Sequence, residues 1–267
     1  GSAEWNSQLE ARNATFAQAC EANSDGILQF ITTEQSARDM DLLRGVLGDE
    51  KLNYLGYSYG TFLGATYAQL FPERVGRLVL DGAIDPETSQ LDVSTTQGIG
   101  FESALRAYMA SCLQGSDCPF TGTVDDGMAD LSTLLASADR NPLPNADGRR
   151  MGADSMMTAI IAALYSQDSW SYLTTALSDA LQGDPSVAFQ LADFYYNRSG
   201  GAYSDNSTEA FIAYNCMDYP DDATPEQEAA SKALLAERAP TVAPYWSSDV
   251  DSCASWPFPP SGERKAL

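Results

Sequence analysis

The rhythm of apolar positions changes twice along this chain. Over residues 3–22, Trp5, Leu9, Phe16 and Ala19 recur at near-helical spacing, and Asn23-Ser24-Asp25-Gly26 closes the run with turn-forming residues. A second helix is predicted after Thr32, whose spacing from Gln35 fits a capping box; its stripe of Met40, Leu43 and Leu47 stops at Gly48. The period then shortens. Lys51 to Gly56 and Val75 to Leu80 are brief apolar runs bounded by turns, which predicts two buried strands, and Thr61 to Leu70 between them is helical in pattern and closed by Pro72. Strand, tight turn, helix and strand over 51–82 is the order of a right-handed parallel βαβ unit.

From Pro86 onward the signals are almost wholly helical. Phe101, Leu105, Tyr108 and Met109 form one face, Met128, Leu131 and Leu135 a second, and Met156, Ile160 and Leu164 a third. Trp170, Leu173, Leu177 and Leu181 form a fourth, and Thr224-Pro225-Glu226-Gln227 starts a late helix with proline at its first position. Two parallel strands with one crossover helix cannot cover both of their own faces, whereas the helical stretch has enough amphipathic stripes to pack on itself. The expected fold class is therefore α/β: a partial core carrying the βαβ unit over 1–85, a large helical domain over 86–260, and a linker beginning at 261–267.

Composition narrows the chemistry. The 267 residues carry 15 Lys+Arg against 37 Asp+Glu, a net charge of −22, which repels a phosphate backbone and makes nucleic acid an unexpected partner. The acids concentrate in residues 86–267, where 25 face 9 bases, against 12 and 6 in residues 1–85. That excess serves solubility, or attracts cationic groups such as a peptide amino terminus. No apolar run has the length of a membrane helix. There is no histidine, which excludes histidine metal sites and any Ser-His-Asp triad built from these residues alone. The five cysteines, Cys20, Cys112, Cys118, Cys216 and Cys253, form no C-x-x-C, so neither a metal nor another cofactor is expected. Local spacing favours Cys112 with Cys118 and Cys216 with Cys253, and paired cysteines favour an oxidising compartment. Cys20 is left over, either as a free thiol or as one whose partner lies upstream.

Gly56-Tyr57-Ser58-Tyr59-Gly60 is a G-x-S-x-G sequence at the junction of the first strand and its helix. A nucleophile elbow needs that context: small residues to let a sharp turn form, and a helix N-terminus beneath the developing oxyanion. Ser58 is then the nucleophile, and the backbone N–H of Tyr59 is half of an oxyanion hole. No base accompanies it. Lys51 lies at the far end of the strand, roughly 20 Å away at about 3.3 Å per residue; Lys232 falls in a surface-type helix and Lys265 in the tail.

The segment from Thr32 to Asp85, with Ala37-Arg38-Asp39-Met40-Asp41, Leu52 to Gly60, Phe71-Pro72-Glu73-Arg74-Val75 and Leu80-Asp81-Gly82, resembles the secreted tripeptidyl aminopeptidases, α/β-hydrolases related to prolyl aminopeptidases. The resemblance continues through Ala213-Tyr214-Asn215-Cys216-Met217-Asp218 and Cys253-Ala254-Ser255-Trp256-Pro257. It implies an α/β-hydrolase core with a helical cap, a peptide substrate with a free N-terminus, and a secreted or cell-envelope location. It also implies an oxyanion loop upstream of residue 1 and a catalytic Asp and His downstream of Leu267, so that the chain is expected to be a middle section, inactive alone, whose partners are the remaining core segments of the same protein. Asp81 and Asp85 accordingly read as turn and capping residues. Asp218, beside Cys216, is the candidate acid for binding a peptide amine, its alternative role being that of a helix-end or surface acid. Two other functions suit the same residues: an esterase or thioesterase, since the elbow serves all acyl transfer, and a catalytically dead binding module with an acidic surface.

Overall fold

The computed structural model describes residues 3–220, 223–246 and 251–261. The expected linker lies outside them except for Ser261. Backbone contacts divide the described chain into two units: one from 1–93, 207–224 and 248–267, the other from 94–206 and 225–247.

In the first unit the helix α1 spans Ala3–Ala22 and α2 spans Thr33–Val46. The Thr32 hydroxyl caps α2 by accepting the Gln35 N–H at 3.2 Å, and Gly48 leaves its end at φ +79°. Next come β1 (Leu52–Tyr57), α3 (Tyr59–Leu70) and β2 (Val75–Asp81), with β1 and β2 parallel and Leu55, Gly56 and Tyr57 opposite Val79, Leu80 and Asp81. The helix α3 lies on the face carrying Tyr54 and Leu80. A Cβ at Gly64 would come within 2.7 Å of the Tyr54 ring and 2.9 Å of the Leu80 side chain, so only glycine lets helix and sheet approach this closely. The opposite face holds Leu55, Tyr57 and Val79, all exposed among the described residues. Asp41 ties the layer together: its carboxylate accepts from Arg44 Nε at 2.8 Å and from the Tyr67 hydroxyl at 3.1 Å, and pairs with Arg74.

The second unit begins within α4 (Gln90–Cys112), whose first turn belongs to the first. It continues with α5 (Val124–Arg140), the pair β3 (Leu143–Pro144) and β4 (Arg150–Met151), α6 (Ala153–Leu164), α7 (Trp170–Leu181), α8 (Ser186–Tyr195), and the pair β5 (Arg198–Ser199) and β6 (Ala202–Tyr203). The helix α9 (Ser207–Asp218) returns to the first unit, and α10 (Pro225–Arg238) to the second. Leu105, Met109, Leu131, Leu135, Met156 and Ile160 are at most 1% exposed and form one continuous core. Thr123 and Asp126 form a reciprocal capping box on α5. Buried Glu102 accepts the Thr241 and Val242 N–H groups, each at 3.0 Å, and so satisfies two backbone donors that α4 would otherwise cover.

Three features differ from the sequence reading. The helical stretch is not purely helical: it contains two antiparallel pairs of two-residue strands around turns, where Gly148, Gly200 and Gly201 take positive φ. The division into units runs along another line than 86–260, because α9 and the segment around Cys253 pack with residues 1–93. The reason is side-chain chemistry on α9, set out below, and the disulfide Cys216–Cys253. Finally, Leu43 and Leu47 of the α2 stripe are exposed, and the buried positions of that helix are Thr33, Ala37 and Asp41. The disulfide Cys112–Cys118 closes a short loop after α4, and Cys20 is free, its thiol pKa raised by burial and then by Glu209.

Candidate active site

The chain must turn from β1 into α3 at a single residue. Ser58 does this at φ +49° and ψ −118°, a conformation that costs a non-glycine residue of order 1–3 kcal/mol unless its surroundings hold it. The surroundings do. The Ser58 N–H donates to the Asp81 carbonyl on β2 at 3.1 Å, and the Ser58 carbonyl accepts from the Thr61 N–H at 2.8 Å and the Thr61 hydroxyl at 2.7 Å. Thr61 Oγ1 accepts in turn from the Ile84 N–H at 2.9 Å, which fastens the chain leaving β2 to the start of α3.

The two glycines of the motif have separate steric reasons. A Cβ at Gly56 would lie 2.4 Å from the Gly60 carbonyl oxygen, so a side chain there would push the first turn of α3 off the strand. A Cβ at Gly60 would lie 3.2 Å from the Tyr54 hydroxyl, which donates to the Gly60 carbonyl at 2.7 Å. Ser58 is exposed, and among the described residues its hydroxyl has no hydrogen-bond partner. The Tyr59 N–H is in the first turn of α3, among donors that have no acceptor within their own helix. Strand, strained serine and free helix N-terminus together can present a nucleophilic oxygen beside donors for an oxyanion.

The remaining candidates are placed as follows. Asp85 accepts the Glu87 N–H at 2.9 Å, a local turn, and Asp81 holds Ser58 through its backbone carbonyl. Lys51 immediately precedes β1 and Lys232 lies in α10; Lys265 is outside the described residues. Among the described residues no group of three or more Cys, Asp or Glu could hold a metal ion.

Asp218 takes the helix-end place that was its alternative role. It ends α9 with 4% of its surface exposed, and both of its oxygens are engaged at the start of α2: Oδ1 accepts the Thr33 N–H at 2.8 Å and Oδ2 the Thr33 hydroxyl at 2.6 Å. A carboxylate placed so satisfies an orphan helix N–H and meets the positive end of the helix dipole. Thr33 Oγ1 also lies 2.6 Å from the Tyr59 hydroxyl, and the Tyr59 ring stands 5.8 Å from that of Tyr214, whose hydroxyl is 2.7 Å from Ser36 Oγ. Burial raises the Tyr59 phenol pKa far above its usual value, with the Asp218 charge adding to it. Sequence reading gave no role to Thr33, Ser36 or Tyr214, although Tyr214 lies in a segment that carries the family resemblance and Thr33 directly follows the Thr32 cap.

Residues 12–193 match the model of a family described as having the alpha/beta hydrolase fold. The chain is 31% identical over 281 aligned positions to the serine protease Hip1 of Mycobacterium tuberculosis, an alignment covering all of this chain and 53% of that protein. It is 36% identical over 237 positions to carboxylesterase B of the same species, covering 87% of this chain and 45% of the relative. It is 29% identical over 210 positions to the tripeptidyl aminopeptidase of Streptomyces lividans, covering 76% and 38%. The chain thus spans about half the length, or less, of the curated relatives it matches.

Proposed function

The chain belongs to the α/β-hydrolase fold family, and from that premise we propose that it carries the nucleophile of a serine exopeptidase that releases short peptides, tripeptides among them, from free N-termini. The observation that carries the reading is the backbone of Ser58, held at φ +49° between a parallel strand and a helix N-terminus. In the proposed reaction Ser58 Oγ adds to the scissile carbonyl while a general base takes its proton. The Tyr59 N–H stabilises the oxyanion, the amine leaves with that proton, and water resolves the acyl-enzyme. With no histidine in the chain, the base comes from residues outside it, and the 267 residues alone are inactive. The names of two relatives, serine protease Hip1 and tripeptidyl aminopeptidase, support a peptide substrate. The disulfides support an extracytoplasmic location, and no described helix is long and apolar enough to cross a membrane.

A second reading is an esterase, favoured by the 36% identity to carboxylesterase B. One comparison separates the two: turnover by the full-length protein of tripeptidyl aminocoumarin amides with free or acetylated N-termini, set against nitrophenyl esters. The exopeptidase reading expects a preference for the free amine, and Ser58→Ala to lower turnover by at least about 10⁴-fold. Preference for the esters selects the second reading. Full activity in Ser58→Ala overturns both, and no turnover of any substrate points to a binding module.

A further inference from the structure

The hydrogen bonds from Tyr59 through Thr33 to Asp218 run in one direction. The Thr33 hydroxyl donates its single proton to Asp218 Oδ2 at 2.6 Å. The Thr33 oxygen then has only lone pairs to offer, and the Tyr59 hydroxyl, 2.6 Å away, must donate to it. A relay therefore runs from the Tyr59 O–H to Thr33 Oγ1 and from the Thr33 O–H to Asp218. At its far end stands the residue whose amide follows the nucleophile. The two termini of the relay come from helices far apart in sequence, α9 and α3, and Thr33, the first residue of α2, joins them.

The relay does for the side chain of Tyr59 what Asp81, Thr61 and Tyr54 do for the backbone around it. Those three hold Ser58 and Gly60 by their amide groups, at 2.7–3.1 Å. The Ser58 carbonyl shares one peptide plane with the Tyr59 N–H, so Thr61 holds that plane from its Ser58 side. The ring braces the Tyr59 side of the same peptide, its hydroxyl pinned by Thr33 and its ring packed at a tilt against Tyr214 and edge-on to Phe62, at centroid distances of 5.8 and 6.4 Å. We propose that Asp218 and Thr33 are positioning residues of the oxyanion hole, aiming the Tyr59 amide through its own side chain. The inference rests on Ser58 being the nucleophile, and it gives the α9 carboxylate a role in catalysis without contact to substrate.

The test uses the full-length protein and an acyl substrate that it turns over. Tyr59→Phe and Thr33→Val each remove one hydroxyl at nearly constant shape, and Thr33→Ser keeps it. The two deletions are expected to lower kcat by about 10-fold to 100-fold with KM within about 2-fold, because a donor aimed wrongly acts only in the transition state. Thr33→Ser should stay near the parent. A trifluoromethyl ketone analogue of the substrate, whose hemiketal oxygen occupies the oxyanion position, should lose affinity in parallel with kcat, which a merely structural role would not produce. Unchanged kcat in both deletion variants overturns the proposal, as does a rise in KM confined to substrates with a free amine, which would make Asp218 an amine site after all. Ser58→Ala is run alongside: if it remains active, the serine reading fails, whereas its inactivity beside fully active Tyr59→Phe and Thr33→Val defeats the positioning role alone.

Discussion

The two units reach burial by different means. In the second, α4 to α8 and α10 supply most of one shared core, and Leu105, Leu131, Leu135 and Met151 are fully enclosed by neighbours from the same unit. In the first, the parallel pair β1 and β2 has α3 on one face only, and Leu55, Tyr57 and Val79 stand exposed on the other; Leu42, Leu43, Val46 and Leu47 of α2 are equally bare. The difference follows from geometry. Amphipathic helices can close a core among themselves, while each face of a parallel sheet needs its own cover. A helical core can therefore close on itself where a two-stranded sheet with one helix leaves a face bare.

That contrast can be broken most easily in the helical unit. Leu135→Ala removes a fully buried side chain and should lower stability by about 3 kcal/mol, in the usual range for such a cavity; urea denaturation followed by tryptophan fluorescence measures it. A loss below about 1 kcal/mol would mean that the core is loose and the contrast overstated.

Acid should act on the first unit through Asp41. The hydrogen bond from Arg44, more than any other contact, holds its carboxyl pKa below the usual carboxylate value. A depressed pKa contributes stability that is present above the unfolded value and lost as pH falls through the folded one. The urea midpoint of Asp41→Asn should thus lie below that of the parent at pH 7, with the gap closing toward pH 3. A gap that is constant with pH would show that the ion pairs with Arg44 and Arg74 contribute nothing in the native state.

The smallest effect is expected where the first unit is bare. Leu55→Ser and Val79→Thr should change the stability of this chain by less than about 0.5 kcal/mol. The same changes should reduce self-association in sedimentation, because exposed apolar sheet invites pairing. If either costs as much as Leu135→Ala, the face is covered in solution and the contrast fails.

How much of this was legible beforehand depends on whether a residue acts on its neighbours in sequence or across the fold. The run from β1 through Ser58 to β2 could be read to within about two residues, because the demands on Gly56, Gly60 and Pro72 are steric and local. The α2 cap at Thr32 was legible for the same reason. Periodicity identified Leu43 and Leu47 as apolar but carries no information on what covers them. The helix α8 offered no contrast between faces, since Val187, Ala188, Phe189, Leu191 and Ala192 are almost unbroken. The bond from Thr33 to Asp218 joins residues 185 positions apart. An acid at a helix end looks the same in sequence whether it meets solvent, a substrate amine or another helix, and only the fold decides.

The bond between Cys216 and Cys253 spans 37 positions and closes a covalent ring. Both cysteines belong to the first unit, while the stretch 225–247 inside the ring belongs to the second, so two of the chain's four passages between units lie on one closed circuit. A protease that nicks the polypeptide within that circuit severs it without releasing anything. The portions before Cys216 and after Cys253 remain one molecule until a reductant opens the bond. Here a disulfide does more than restrict the unfolded chain: it lets a cut molecule stay whole in the oxidising surroundings where such bonds persist.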